Sequence, residues 1–189
     1  MRSGKTPSFL HRIPVFFPGV LTLYLVGFLL SLLGAVVICA GFGYPFSLNG
    51  VYGLLLIMFF LQFLSAGNTP LGFVPRTVPV LLIGFAGVGL GILSCGIPEF
   101  LEAEICLLIA VLTIFSGITN LRLGLTQSAW PQLMRCNIFL CGIFAMVFGV
   151  NMVLPFASPV CIGSTLILFG ISLCTFAFLL NHQIEIAAK

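Results

Sequence analysis

The stretch Val80-Leu-Leu-Ile-Gly84-Phe-Ala-Gly87-Val-Gly-Leu-Gly91-Ile-Leu-Ser-Cys95-Gly-Ile-Pro98 decides how this chain is read. It holds no charged residue, two of its glycines (Gly84 and Gly91) are seven apart, and a proline closes it. The same arrangement occurs twice more, as Gly27 and Gly34 before Pro45, and as Gly142 and Gly149 before Pro155. The first glycines of the three sets lie 57 and 58 residues apart. Such a period is about two membrane crossings and two turns, at ~20 residues per crossing. A glycine at i and i+7 returns to one helix face, where a second backbone can approach closely. Gly27, Gly34, Gly84, Gly87, Gly91, Gly142 and Gly149 are therefore the expected helix-packing positions.

Working outward, the composition fits a membrane. Of 189 residues, 60% are hydrophobic and 6% charged, where a soluble domain carries ~25% charged residues. No polar linker divides the chain, so residues 1–189 form one expected domain. A net charge of +3, dispersed along the chain, excludes nucleic acid as an expected partner.

Gaps between charges count the helices. Residues 13–75, 77–98, 105–121 and 136–184 contain no Asp, Glu, Lys or Arg. They leave room for two, one, one and two spans, the shortest relying on snorkelling flanks. The expectation is an all-α polytopic membrane protein with spans near 18–41, 47–66, 77–97, 100–121, 133–154 and 159–180. Short proline-containing turns at Gly41–Pro45, Gly96–Pro98 and Leu154–Pro159, the first two also with glycine, predict three tandem antiparallel hairpins, spans 1–2, 3–4 and 5–6.

Arg2, Lys5, Arg12, Arg76, Arg122, Arg135 and Lys189 all fall on one side of these spans, and no Lys or Arg falls on the other. The positive-inside rule then predicts cytoplasmic N- and C-termini. Trp130, between Arg122 and Arg135, suits an interfacial anchor on that side. The apolar run from Val15 to Ala40 exceeds the ~7–15-residue core of a signal peptide, so span 1 is read as retained.

These features resemble the HdeD acid-resistance membrane protein family. The likeness is carried by Val80 to Pro98 with its partner through Ser116-Gly117, and by Gly142 to Gly170, within a likeness that runs from about residue 17 to 180. It implies a small, multi-pass protein of the bacterial inner (plasma) membrane, tied to survival at low pH and stress response, and it brings no catalytic residues. Two departures stand out: a longer glycine-to-proline gap in the first hairpin, and seven cysteines.

Candidate chemistry is sparse. Glu99, Glu102 and Glu104 are the only charges on the outer side. Glu99 and Glu102, three apart on one helix face, make each other's ionisation harder, while Glu104 points away and falls deeper, where an ionisable group is costly. One reading is a proton-responsive cluster that takes up protons as the outside acidifies. The ordinary and favoured reading is that acids at a helix N-terminus complement its dipole and mark the membrane boundary. Arg122 and Arg135 could meet anionic lipid or a cytosolic partner, yet orientation charges are the simpler assignment. Asn120, Asn137, Asn151 and Gln62 read as interhelical hydrogen-bonding groups before they read as a polar path. The cysteines show no metal spacing and no CxxC and read as small apolar filler, with a Cys39–Cys95 disulfide open in an oxidising compartment. His182 lacks partners for a metal. No catalytic, metal or cofactor-binding residue is assigned.

The function expected is that of a non-enzymatic integral membrane protein of the HdeD type, its molecular activity unresolved. The alternative is a small-molecule transport component, for instance a six-helix substrate-capture subunit, which needs a polar cavity. A membrane enzyme or redox carrier ranks last. The lipid bilayer is the expected partner, with a second copy or another membrane protein left open.

Overall fold

The structure is a computed structural model that describes residues 20–44, 48–64, 68–69, 72–73, 78–97, 102–128, 130–154 and 158–188. Among them are six helices: α1 (Val20–Gly41), α2 (Leu48–Leu64), α3 (Val78–Gly96), α4 (Glu102–Thr126), α5 (Gln132–Val153) and α6 (Pro159–Ala188). Between α2 and α3, β1 (Asn68–Thr69) and β2 (Gly72–Phe73) form a small antiparallel pair, Asn68 opposite Phe73 and Thr69 opposite Gly72. Four helices are long and apolar enough to cross a membrane, over Leu23–Gly41, Ala103–Thr126, Gln132–Val153 and Pro159–Gln183. Two shorter apolar segments, Gly50–Leu61 and Leu81–Gly96, lie in α2 and α3. The chain is thus an all-α protein with the helices of a membrane protein.

Helices α4 and α6 run past the 121 and 180 expected from the charges, to Thr126 and Ala188. A charge ends an apolar run, whereas a helix continues until its backbone is capped. Two caps are built from local sequence. Gly43 has φ +89, and the amides of Gly43 and Tyr44 donate to the carbonyls of Ala40 and Cys39. That is the Schellman pattern for which glycine is the favoured residue. At the start of α6, the Ser158 hydroxyl accepts from the Cys161 amide at 3.2 Å and Pro159 takes the first helical position, where its missing N–H costs nothing.

The closest helix pairs are α1 with α6, α2 with α3, and α4 with α5. This corrects the pairing expected from turn length. Of the three pairs joined by short turns, only α5–α6 packs over a considerable length, while α1 and α2 touch briefly. In lipid, helices gain nothing hydrophobic by associating, and dispersion contacts between matched surfaces decide the partners. The small faces therefore outweigh the turns.

The centre, among the described residues, is apolar. Leu55, Leu56, Ile105, Ile109, Met134, Phe148, Leu166, Phe176 and Val37 are fully buried and join five helices in one apolar cluster. Among the described side chains α3 meets it only with partly buried ones, Val88 and Leu90. It stands at the edge, packed on α2.

Candidate functional site

Each close pair is built around glycines that face one another. Gly27 stands opposite Gly170 and Gly34 opposite Gly163 between α1 and α6; Gly53 stands opposite Gly91 between α2 and α3; Gly117 stands opposite Gly142 between α4 and α5. A Cβ on Gly34 would lie 2.6 Å from the Gly163 carbonyl oxygen, one on Gly53 2.7 Å from that of Gly91, and one on Gly117 2.8 Å from that of Gly142. No side chain fits at such distances. The hydrogen that replaces it faces a carbonyl, a weak Cα–H···O contact of the kind found at helix crossings.

A second regularity completes the joints. The residue four positions after each glycine fills the notch over the opposing glycine, since positions i and i+4 share a face. Cys174 covers Gly27, Ile167 covers Gly34, Ile38 covers Gly163 and Ser31 covers Gly170. Likewise Cys95 covers Gly53, Ile57 covers Gly91, Met146 covers Gly117 and Leu121 covers Gly142. Two of these covers are thiols that also donate across the joint, Cys174 to the Tyr24 carbonyl at 3.7 Å and Cys95 to that of Gly50 at 3.6 Å. Gly149 instead meets the Ala110 carbonyl, with Thr113 and Ile114 above it.

The glycines picked out by spacing thus fall as follows. Gly27, Gly34, Gly91 and Gly142 stand at glycine–glycine crossings, Gly149 at a glycine–alanine crossing, and Gly87 against Phe60. Gly84 is buried. The i+7 spacing in the odd helices points to one helix of each pair; the partner glycines Gly53, Gly117, Gly163 and Gly170 are not among the packing positions it gives. The Gly163/Gly170 spacing repeats the same signal.

Polar side chains are few inside. Among the described residues Ser94, Thr113 and Ser172 are the buried polar ones. Thr113 donates back to its own helix, to the carbonyls of Ile109 at 2.8 Å and Ala110 at 3.0 Å. Where α5 meets α6, the fully buried Cys141 thiol donates to the Ser172 hydroxyl at 3.0 Å, and Ser172 donates to the Asn137 carbonyl at 3.5 Å. Of the amides considered from sequence, Asn137 joins this node, Asn120 and Asn151 are half-buried in α4 and α5, and the Gln62 side chain lies outside the described residues.

Arg135 and Arg122 serve differently. The Arg135 side chain donates to the last carbonyls of α4, Nε to Gly124 at 3.1 Å and Nη2 to Leu125 at 3.3 Å. A cation at a helix C-terminus is favoured by the dipole. Arg122 is exposed. Trp130, expected at an interface, is 4% exposed and packs on Phe176 with ring centroids 5.9 Å apart. It ties the α4–α5 turn to α6.

Among the acids, Glu99 lies outside the described residues, Glu102 begins α4, and Glu104 is exposed on the outward face of that helix. All seven cysteines are free thiols, including Cys39 and Cys95. No group of three or more His, Cys, Asp or Glu is placed to hold a metal among the described residues. Comparison with protein families, curated proteins and solved structures yields no match to this chain.

Proposed function

We propose that the chain is a non-enzymatic, six-span protein of the bacterial inner membrane, with both termini cytoplasmic and a role in acid or stress resistance of the HdeD type. One observation carries the choice over a transporter. The space between the helices holds Leu55, Leu56, Ile109, Phe148 and Phe176, where a solute carrier needs a cavity with convergent polar groups. The Thr113 hydroxyl is spent on its own helix, and Cys141 and Ser172 on each other. Resistance to a membrane stress asks for a rigid, tightly packed body, and backbone-to-backbone glycine joints supply one.

The glycine joints also support an internal threefold plan. Odd helices carry Gly27/Gly34, Gly84/Gly91 and Gly142/Gly149 at equivalent places. Helices α3 and α5 each join the even helix before them in sequence, α2 and α4, and α1 joins α6. The plan is a ring of three units rather than three separate hairpins.

The test is purification from native membranes in mild detergent, followed by native mass spectrometry. Lipids and membrane proteins are the expected companions. A stoichiometric polar metabolite sinks this reading in favour of a substrate-capture subunit. Acid survival of a strain lacking the gene, against the same strain complemented, tests the physiological half.

A further inference from the structure

The three glycine joints are not interchangeable. Helix α4 presents Gly117, and α6 presents Gly170, seven residues after Ala110 and Gly163. Helix α2 keeps Gly53 but carries Phe60 seven residues later, and Phe60 is buried. Helix α3 answers with Gly87, three residues after Gly84: a Cβ at Gly87 would overlap Cγ, Cδ1 and Cδ2 of the Phe60 ring. At the matching place, three residues after Gly27 and Gly142, α1 has Leu30 and α5 has Ala145.

We infer that Phe60 and Gly87 form a pairing key that admits α3 to α2 and turns α1 and α5 away. Were α1 to take the place of α3, Leu30 would stand where Gly87 does, in the space of the Phe60 ring. Ala145 would bring its Cβ to the same spot. Steric rejection of wrong partners is an established route to specificity, and a close-packed interior has no slack to absorb the overlap. The key accounts for a choice that turn length does not. Only residues 42–47 separate α1 from α2, against residues 65–77 between α2 and α3, yet α2 packs along α3 and α1 goes to α6.

Distances in the full-length protein test this. Spin labels are attached through genetically encoded non-cysteine handles at Leu32, Leu54, Leu82 and Leu168, all exposed on the bundle exterior, and read by pulsed EPR in nanodiscs. The wild type gives one Leu32–Leu168 distance. Phe60→Gly restores the pattern of α4 and α6 to α2, so α1 gains a second partner. A second Leu32–Leu168 population is expected, on the order of a tenth of molecules, with a matching shorter Leu32–Leu54 distance. Leu30→Gly opens the same choice from the other side. Gly87→Leu broadens the Leu54–Leu82 distance, and adding Phe60→Gly narrows it again. The key is overturned if either single variant, Phe60→Gly or Leu30→Gly, keeps the single wild-type distance, or if the double variant stays as broad as Gly87→Leu.

Discussion

Gly34 and Gly163, 129 positions apart in the sequence, meet so closely that the carbonyl oxygen of Gly163 lies 2.6 Å from where a Cβ on Gly34 would stand. With Gly27 and Gly170 one step along, this contact fastens the first helix to the last. Adding matter at such a point forces two backbones apart. Gly34→Leu is therefore expected to lower stability by about 1–3 kcal/mol, the usual cost of overpacking a filled interior. Thermal unfolding in detergent measures it. Gly89→Ala is the control, because nothing lies within 4 Å of a Cβ there. It should leave the midpoint unchanged or raise it, since alanine holds a helix better than glycine by about 0.5–1 kcal/mol.

The node between α5 and α6 should be worth little more than one hydrogen bond. Ser172→Ala removes the acceptor of the Cys141 thiol. Interhelical hydrogen bonds in membranes average about 0.6 kcal/mol in double-mutant cycles. A cycle of Cys141→Ala with Ser172→Ala should return a coupling of that order. A coupling of several kcal/mol would show that the node does more than hold two helices.

Arg135 and Arg122 should separate in the same assay. Arg135→Gln loses two hydrogen bonds to the end of α4, each worth about 0.5–1.5 kcal/mol net. Arg122→Gln, at an exposed site, should fall within about 0.5 kcal/mol of the wild type. Equal losses would contradict the cap.

Orientation follows from charge rather than from packing. Reporter fusions after Lys189 and within residues 96–99 should give opposite locations, the former cytoplasmic, because every Lys and Arg falls on one side of the six proposed spans. A C-terminal reporter active only outside would mean that one of the two shorter helices, α2 or α3, does not cross.

Helix positions were legible because a membrane forbids charges along a span and leaves turns to glycine and proline. The seven-residue glycine spacing was legible as a packing face for the same reason. Partner choice was not, because it depends on two sequences at once. Phe60 reads as ordinary apolar filler until Gly87 stands beside it, and the short 42–47 turn invites a pairing that Leu30 obstructs. Trp130 likewise reads as an interfacial residue by its neighbours in sequence, while its place against Phe176 is set by a helix nearly fifty residues away. The Ser158 and Gly43 caps were open to reading, since serine before proline and glycine past an apolar run are local signals.

Because α1 is fastened to α6, the ribosome must make more than a hundred further residues after Gly41 before the partner of the first helix exists. At 5–20 residues per second, α1 waits on the order of 10 s in the bilayer with its glycine face uncovered. During that interval the glycines of α1 lack the helix they pack against, and a nascent chain released before Pro159 lacks it altogether. Closure of the bundle around α1 thus waits on the synthesis of α6.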